Sequence, residues 1–336
     1  MKKILTLLTS SLFLAGMVFT SCEGPQGPEG PQGPAGEIGA LTCVECHDFS
    51  TDLFAKVLQY ENSTHVTGGN YNRNYGECAI CHTHEGYIDN LETGAGTSDA
   101  ALVNTTHINC RTCHMIHENY DATDWDLRET EATTFFTGVA APDMGTGNQC
   151  ASCHKSRAYD VPEIGGPDVE ITSSRYGPHY GVQTDMMASH GLYEFPGSLS
   201  YPSNNPHGNL ANGCVSCHMA PGYVDQSGGH TFTMRNESEA LNMTSCTDCH
   251  GSLTSEDVDA FQAEIHVLYD SLFNTLVAKG LMNETTGLVV TGTVSGSEAA
   301  AIANYRTIYG DHSFGLHNPG YIKAILNNTL EAAQDF

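Results

Sequence analysis

The sequence predicts a mainly α-helical chain with long connecting loops and little β structure. Three observations lead there. An apolar stripe at helical spacing runs through Thr254–Leu281, and two further helical patterns follow at about Ser297–Ile308 and Pro319–Ala333. Only the run Leu288–Val294 reads as a strand. Twelve of the thirteen cysteines fall into six Cys-x-x-Cys-His units, and their uneven spacing excludes a regular solenoid.

Taken in order, residues 1–21 have the form of a secretory signal, with Lys2 and Lys3 ahead of the apolar run from Ile4 to Phe19. That run is too short and too early to serve as a membrane span. Cys22 follows Phe19-Thr20-Ser21, which resembles a bacterial lipobox with Phe19 where leucine is preferred. Cys22 is therefore the candidate lipidation site, and otherwise a stray signal-peptide cysteine. Several acyl chains would anchor it firmly, because each buried methylene adds about 0.8 kcal/mol.

Residues 22–40 carry glycine at strict period three, from Gly24 to Gly39. The pattern is collagen-like, and its roughly five triplets suit either a polyproline-II stalk of about 50 Å or a short trimerising helix. Residues 41–253 hold all six motifs. Within them Leu53, Phe54, Val57 and Leu58 mark a helix from Asp52 to Tyr60, with Thr51 as cap, while Thr130–Gly147 reads as loop. Residues 254–336 form a helical tail. Thr254 caps its first helix, whose stripe is Val258, Phe261, Ile265, Leu268, Leu272 and Leu276, and Gly280 suits its stop. Asn318 and Pro319 predict the cap and first turn of the last helix, which fixes His317 just before a helix start.

The motifs are Cys43/Cys46/His47, Cys78/Cys81/His82, Cys110/Cys113/His114, Cys150/Cys153/His154, Cys214/Cys217/His218 and Cys246/Cys249/His250. Two thiols at this spacing can each add across a vinyl group of one haem, and the following imidazole then becomes the proximal iron ligand. Zinc ribbons and disulfide frameworks also use paired cysteines, but neither needs a histidine after every second one. The motifs therefore predict six covalent c-type haems, wrapped by the long loops of a multihaem cytochrome c architecture. A formal charge of −26 with thirteen Lys plus Arg argues against nucleic acid as a partner. It suits solubility and cationic partners equally well.

Six of the seventeen histidines end the motifs, leaving eleven for the distal sides of the irons: His65, His84, His107, His117, His179, His190, His207, His230, His266, His312 and His317. From His47 onward the chain resembles the multihaem cytochromes related to nitrite reductase and hydroxylamine oxidoreductase. The residues that carry the likeness are CHTHEGY around His82, CRTCHMIHENY around His114, GPHYGVQTDMM, NPHGNLANGCVSCHM, GGHTF and SFGLHNPGYIKAIL. The resemblance implies that His65, His117, His179, His207, His230 and His317 are iron ligands, with His107 the nearest substitute. His84, His190 and His312 fit it less well, and packing explains His266 equally well. Ammonia-forming nitrite reductases also carry a Cys-x-x-Cys-Lys motif. This chain has none, and Lys155 merely follows His154.

Two functions are open to such a chain. One is an extracytoplasmic electron relay through mostly bis-histidine haems, held to a bacterial membrane by the Cys22 lipid. It would pass electrons between redox partner proteins or to an extracellular acceptor, and could assemble through the collagen-like segment or by haem stacking. The other is a reductase of a small nitrogen or sulfur oxyanion at one five-coordinate haem.

Overall fold

The computed structural model describes residues 47, 51–94, 101–222 and 227–336. The signal, Cys22, the Gly-x-y segment, Cys43 and Cys46 lie outside them. Residues 42–336 make up one compact unit.

The tail is built around three helices, α10 (Ser255–Ala278), α11 (Gly296–Asp311) and α12 (Pro319–Ala332). Helix α10 starts on a capping box, in which Thr254 Oγ1 accepts from the Asp257 N–H and the Asp257 carboxylate accepts from the Thr254 N–H. It stops where Gly280 turns left-handed at φ 74°. Leu281 N then donates to Leu276 O and Gly280 N to Val277 O, which closes the end with paired reverse bonds. Of the predicted stripe, Val258, Ile265, Leu272 and Leu276 are buried, and Phe261 and Leu268 pack against the same core.

Helix α11 is buried nearly all round, its polar Asn304, Thr307 and Asp311 together with Ala299, Ala300, Ala301, Ile302, Ala303 and Ile308, as suits a central helix. Helix α12 has Pro319 in its first turn, but Asn318 does not cap it with its side chain. The Asn318 amide instead donates to Met186 O and Ser189 Oγ, 3.2 and 2.8 Å away. These bonds use the amide NH2 and hold the side chain against a distant segment, so its oxygen is not turned onto the helix N–H groups.

The β content is a single antiparallel pair among the described residues. β1 (Val169–Ile171) runs against β2 (Gly292–Val294), with Val169 opposite Val294 and Ile171 opposite Gly292. The strand-like run from Leu288 pairs only in its last three residues. Upstream of them Val289 makes an isolated bridge to Met282.

One core joins Ile171, Tyr176, Met186 and Phe195 to the apolar faces of α10, α11 and α12. Two fully buried asparagines lock loops onto it. Asn304 accepts from Tyr193 N at 2.7 Å and donates to Tyr193 O at 2.8 Å. Asn328 does the same to Leu199, at 3.1 and 2.8 Å. Outside the tail the chain is short helices joined by loops: α1 (Thr51–Glu61), α2 (Thr64–Thr67), α3 (Gly76–His82), α4 (His84–Thr93), α5 (Cys110–Cys113), α6 (Asn148–Ala151), α7 (Gln183–Met187), α8 (Gly213–His218) and α9 (Thr244–Thr247). The mainly helical, loop-rich class expected from the sequence is the class observed.

Candidate haem-binding sites

Five of the six motifs lie wholly within the described residues, and each begins in a short helix: α3, α5, α6, α8 and α9. A helical turn sets positions i and i+3 on one face, so two thiols on one turn point the same way. In α3, α5 and α8 the helix holds both cysteines. Helices α6 and α9 end before the second one, and there a backbone bond continues the turn: Cys153 N donates to Cys150 O at 3.2 Å and Cys249 N to Cys246 O at 3.3 Å. The backbone N–H groups of His114, His154 and His250 donate to the first cysteine of their own motifs, at 2.9, 2.9 and 2.8 Å. Those bonds keep the histidine in register at the end of the turn. Among the described residues none of these cysteines is joined to another, and no three His, Cys, Asp or Glu side chains converge as a metal cluster would need.

Two of the thiols are more open than the rest. Cys249 and Cys110 are exposed, whereas the other cysteines of the five motifs are half-buried. Cys249 has a local reason: α9 is a single turn that stops at Thr247, and the residues from Thr247 to Ser252 all face solvent. Among the described residues no element is laid over that side of the sixth motif. Cys110 opens α5 from the loop before it, and only its partner Cys113 turns inward.

Each motif histidine has a second imidazole across from it. His47 faces His117 with ring centres 6.2 Å apart, His82 faces His179 at 6.4 Å, and His114 faces His230 at 6.4 Å. His154 faces His65 at 6.2 Å, His218 faces His317 at 6.1 Å, and His250 faces His207 at 6.1 Å. Metal–nitrogen bonds of about 2.0 Å, with about 1.1 Å from ring nitrogen to ring centre, put two imidazoles on one iron about 6.2 Å apart. The residues present fit such an iron.

Ring packing in the same chain ranges from 3.7 Å, for Phe314 on His266, to 6.4 Å, for Tyr180 on His312, so what sets the six pairs apart is that each joins one motif histidine to a different histidine outside the motifs. The angles between paired rings run from 26° to 89° while the separations barely change. Rotation about a ring–metal–ring axis has that property, since it alters the angle and leaves the distance alone.

Hydrogen bonds at Nδ1 orient several of these rings and leave Nε2 free to face the partner. His114 donates to Trp125 O at 2.6 Å, His207 to Leu316 O at 2.7 Å and His218 to Phe232 O at 2.9 Å. His154 uses Gln183 Oε1 at 3.1 Å, and His317 uses the Asp311 carboxylate at 2.6 Å. Burial, reinforced by His154, holds His65 down at about 4. Burial, reinforced by Arg157, does the same for His179, also at about 4. Both are therefore neutral near pH 7, as metal ligation requires. His317 goes the other way: burial lowers it, but Asp311 outweighs burial and holds it above its ordinary value.

Backbone strain marks two of the facing histidines. His117 and His179 adopt left-handed conformations, φ 67° and 73°, which non-glycine residues rarely keep without support. For His117 the support is Asp124, a buried carboxylate that accepts from the N–H groups of His117, Asn119 and Tyr120 at 2.7, 2.8 and 3.2 Å. Phe232, also left-handed at φ 59°, stands where three pairs meet. Its ring lies 5.1 Å from His65 and 5.9 Å from His230, and its carbonyl accepts from His218.

The remaining histidines have other neighbours. Both ring nitrogens of His190 are taken, Nδ1 by Asp185 at 3.1 Å and Nε2 by Thr137 Oγ1 at 3.0 Å. His84 Nδ1 lies 3.0 Å from Thr112 Oγ1. His107 donates to Ile108 O at 2.7 Å and stays outside the pairs, since every motif histidine faces a different residue. His312 stacks on Tyr180 and His266 on Phe314. Sequence reasoning named none of Asp124, Phe232, Gln183 or Asp311. Only the nearness of Asp311 to His317 could have drawn attention to it.

No protein-family model and no curated protein matches the chain. Solved structures do. An outer cell wall cytochrome, OcwA, aligns over 84% of this chain and 50% of its own, at 17% identity and a TM-score of 0.52. The undecahaem cytochrome from the S-layer of Carboxydothermus ferrireducens aligns over 82% of this chain and 40% of its own, at 18% identity and a TM-score of 0.50. A cytochrome c nitrite reductase from Desulfovibrio desulfuricans is more remote, at 14% identity and a TM-score of 0.44. The fold is thus that of the multihaem c-type cytochromes, as the motifs led one to expect. The chain spans about half the length of the first of these structures and 40% of the second.

Proposed function

We propose that the protein relays electrons outside the cytoplasm through six covalent c-type haems, each with its iron between two histidines. The observation that carries this reading is the common 6.1–6.4 Å spacing of all six imidazole pairs. Haem c, when bound, supplies a one-electron ferric–ferrous couple whose potential follows its axial ligands and their hydrogen bonds. The chain's own residues do the rest. The paired thiols on helical turns anchor the group, and the carbonyls of Trp125, Leu316 and Phe232 fix which ring nitrogen faces the iron. Phe232 touches three of the sites at once, with its ring beside His65 and His230 and its carbonyl on His218.

A reductase would need one iron with an open face. An imidazole stands opposite every motif histidine, so the relay is the better reading. The setting is taken to be a membrane surface reached through a lipid on Cys22. Two of the fold neighbours, an outer cell wall and an S-layer cytochrome, favour an exported protein. The acidic chain, at −26, would dock cationic redox partners.

Denaturing mass spectrometry should find the polypeptide plus six haem masses, and the ferric protein should be entirely low-spin. Fewer than six covalent haems, or a substantial high-spin fraction, would defeat the reading. Cys22→Ser should release the protein into soluble fractions with an unchanged visible spectrum, because Cys22 belongs to none of the six motifs. Retention on washed membranes would rule out the lipid anchor.

A further inference from the structure

The paired imidazoles do not all find the same kind of hydrogen-bond partner. Among the described residues, His114, His207 and His218 donate from Nδ1 to backbone carbonyls, and His154 donates to the neutral amide of Gln183. His317 donates to a carboxylate, that of Asp311, at 2.6 Å. The Asp311 side chain is 1% exposed, so water does not screen its charge. Its second oxygen is held as well, accepting from the hydroxyl and the N–H of Ser313. The carboxylate is thus fixed in position on the side of the His317 ring away from His218.

We propose that Asp311 sets a potential: through His317 it holds the iron of the Cys214/Cys217 motif below that of the neighbouring Cys246/Cys249 motif. The proposal rests on the bis-histidine reading above. A carboxylate on Nδ1–H draws the proton toward itself and makes the imidazole a more basic ligand. A more basic, more anionic ligand stabilises ferric iron over ferrous, and outer-sphere hydrogen bonding is one of the levers that set haem potentials. One electron converts ferric to ferrous, with no bond made or broken and no proton required.

The neighbouring site is a built-in comparison. His207, which faces His250, bonds through Nδ1 to the carbonyl of Leu316, the residue immediately before His317. One dipeptide of the tail therefore serves both sites, with a neutral acceptor for one ring and a charged one for the other. The difference makes the Cys214/Cys217 iron the harder of the two to reduce. Electrons then reside preferentially at the other site, and the tail imposes a direction on traffic between them.

The experiment is a spectroelectrochemical titration of the full-length protein and of Asp311→Asn, which keeps an oxygen near Nδ1 and removes the charge. The expected result is that one of the six one-electron steps moves to higher potential, with the other five in place, six haems attached and all irons low-spin. In the unmodified protein, near-infrared magnetic circular dichroism should show one ferric centre whose charge-transfer band is displaced toward that of imidazolate ligation. Six low-spin haems with unmoved potentials in the variant would overturn the role of Asp311 and leave the six-haem reading intact. A wild-type protein without a low-spin haem at His218 would overturn both. If Asp311→Asn fails to retain its haems, the wild-type near-infrared spectrum decides: six equivalent bands overturn the proposal and one displaced band sustains it.

Discussion

Replacing His317 by alanine is expected to turn one of six irons high-spin while leaving all six haems attached. His317 faces His218 at 6.1 Å, and the thiols that would anchor that haem, Cys214 and Cys217, lie about a hundred residues upstream and are untouched. The backbone at His317 should hold without the imidazole. Its N–H is bonded to Ser313 Oγ at 3.3 Å, and Asn318 is tied to Met186 and Ser189. Loss of the ring therefore opens one face of one iron and leaves the turn in place. Electron paramagnetic resonance should show a single new high-spin ferric signal, and the reduced variant should bind one carbon monoxide per chain.

The control is His312→Ala. His312 sits five residues earlier in a left-handed cap at the end of α11, and its ring lies against Tyr180 and Tyr309. Its removal should leave the spectrum unchanged. A high-spin signal from the His312 variant, with none from His317→Ala, would reverse the assignment.

How much of this could be read from the residues varies with the range of the interactions. Helix α10 was legible because its cap, stripe and stop are all local: Thr254 with Asp257, Val258 through Leu276, and Gly280. The six histidines that family resemblance singled out are the six that stand across from motif histidines. Their pairing was not legible. His65 lies between the first two motifs, yet it faces His154 of the fourth, and His117 sits three residues after His114, yet it faces His47. Pairings of that kind depend on how loops return. Two of the loops turn at left-handed His117 and His179; Gly177 and Gly181 flank the second bend, but no glycine lies next to the first. Exposure of a motif was hidden for the same reason. The spacing of Cys246 and Cys249 matches that of Cys214 and Cys217, and only the fold shows that Cys249 is exposed among the described residues. Asn318 does hold the cap position before Pro319, but its side chain is drawn to a distant backbone, which residue spacing does not show. The histidines outside the pairs, such as His190 between Asp185 and Thr137, have partners that sequence spacing does not distinguish from an iron.

Leu272→Ala should lower the stability of the whole compact unit by about 2–5 kcal/mol, the range for emptying a filled leucine site in a core. Leu272 is 0% exposed at the middle of α10, in the same apolar cluster as Ile171, Tyr176, Met186 and Phe195 from the region before residue 254. A cavity there would be felt on both sides of that boundary, since the packed neighbours of α10 include segments that carry or adjoin the facing histidines. Met186 lies in α7, whose Gln183 orients His154, and its carbonyl accepts from Asn318, next to His317. The variant should therefore melt in one transition at reduced temperature, with helix signal and low-spin haem absorption lost together, although the haems stay covalently attached. Val267→Ala, on the opposite face of α10 at 65% exposure, should stay within about 0.5 kcal/mol of the parent. If the helix signal of Leu272→Ala disappeared while all six irons remained low-spin, the tail would be folding by itself. His317 could not then be holding it to the iron across from His218.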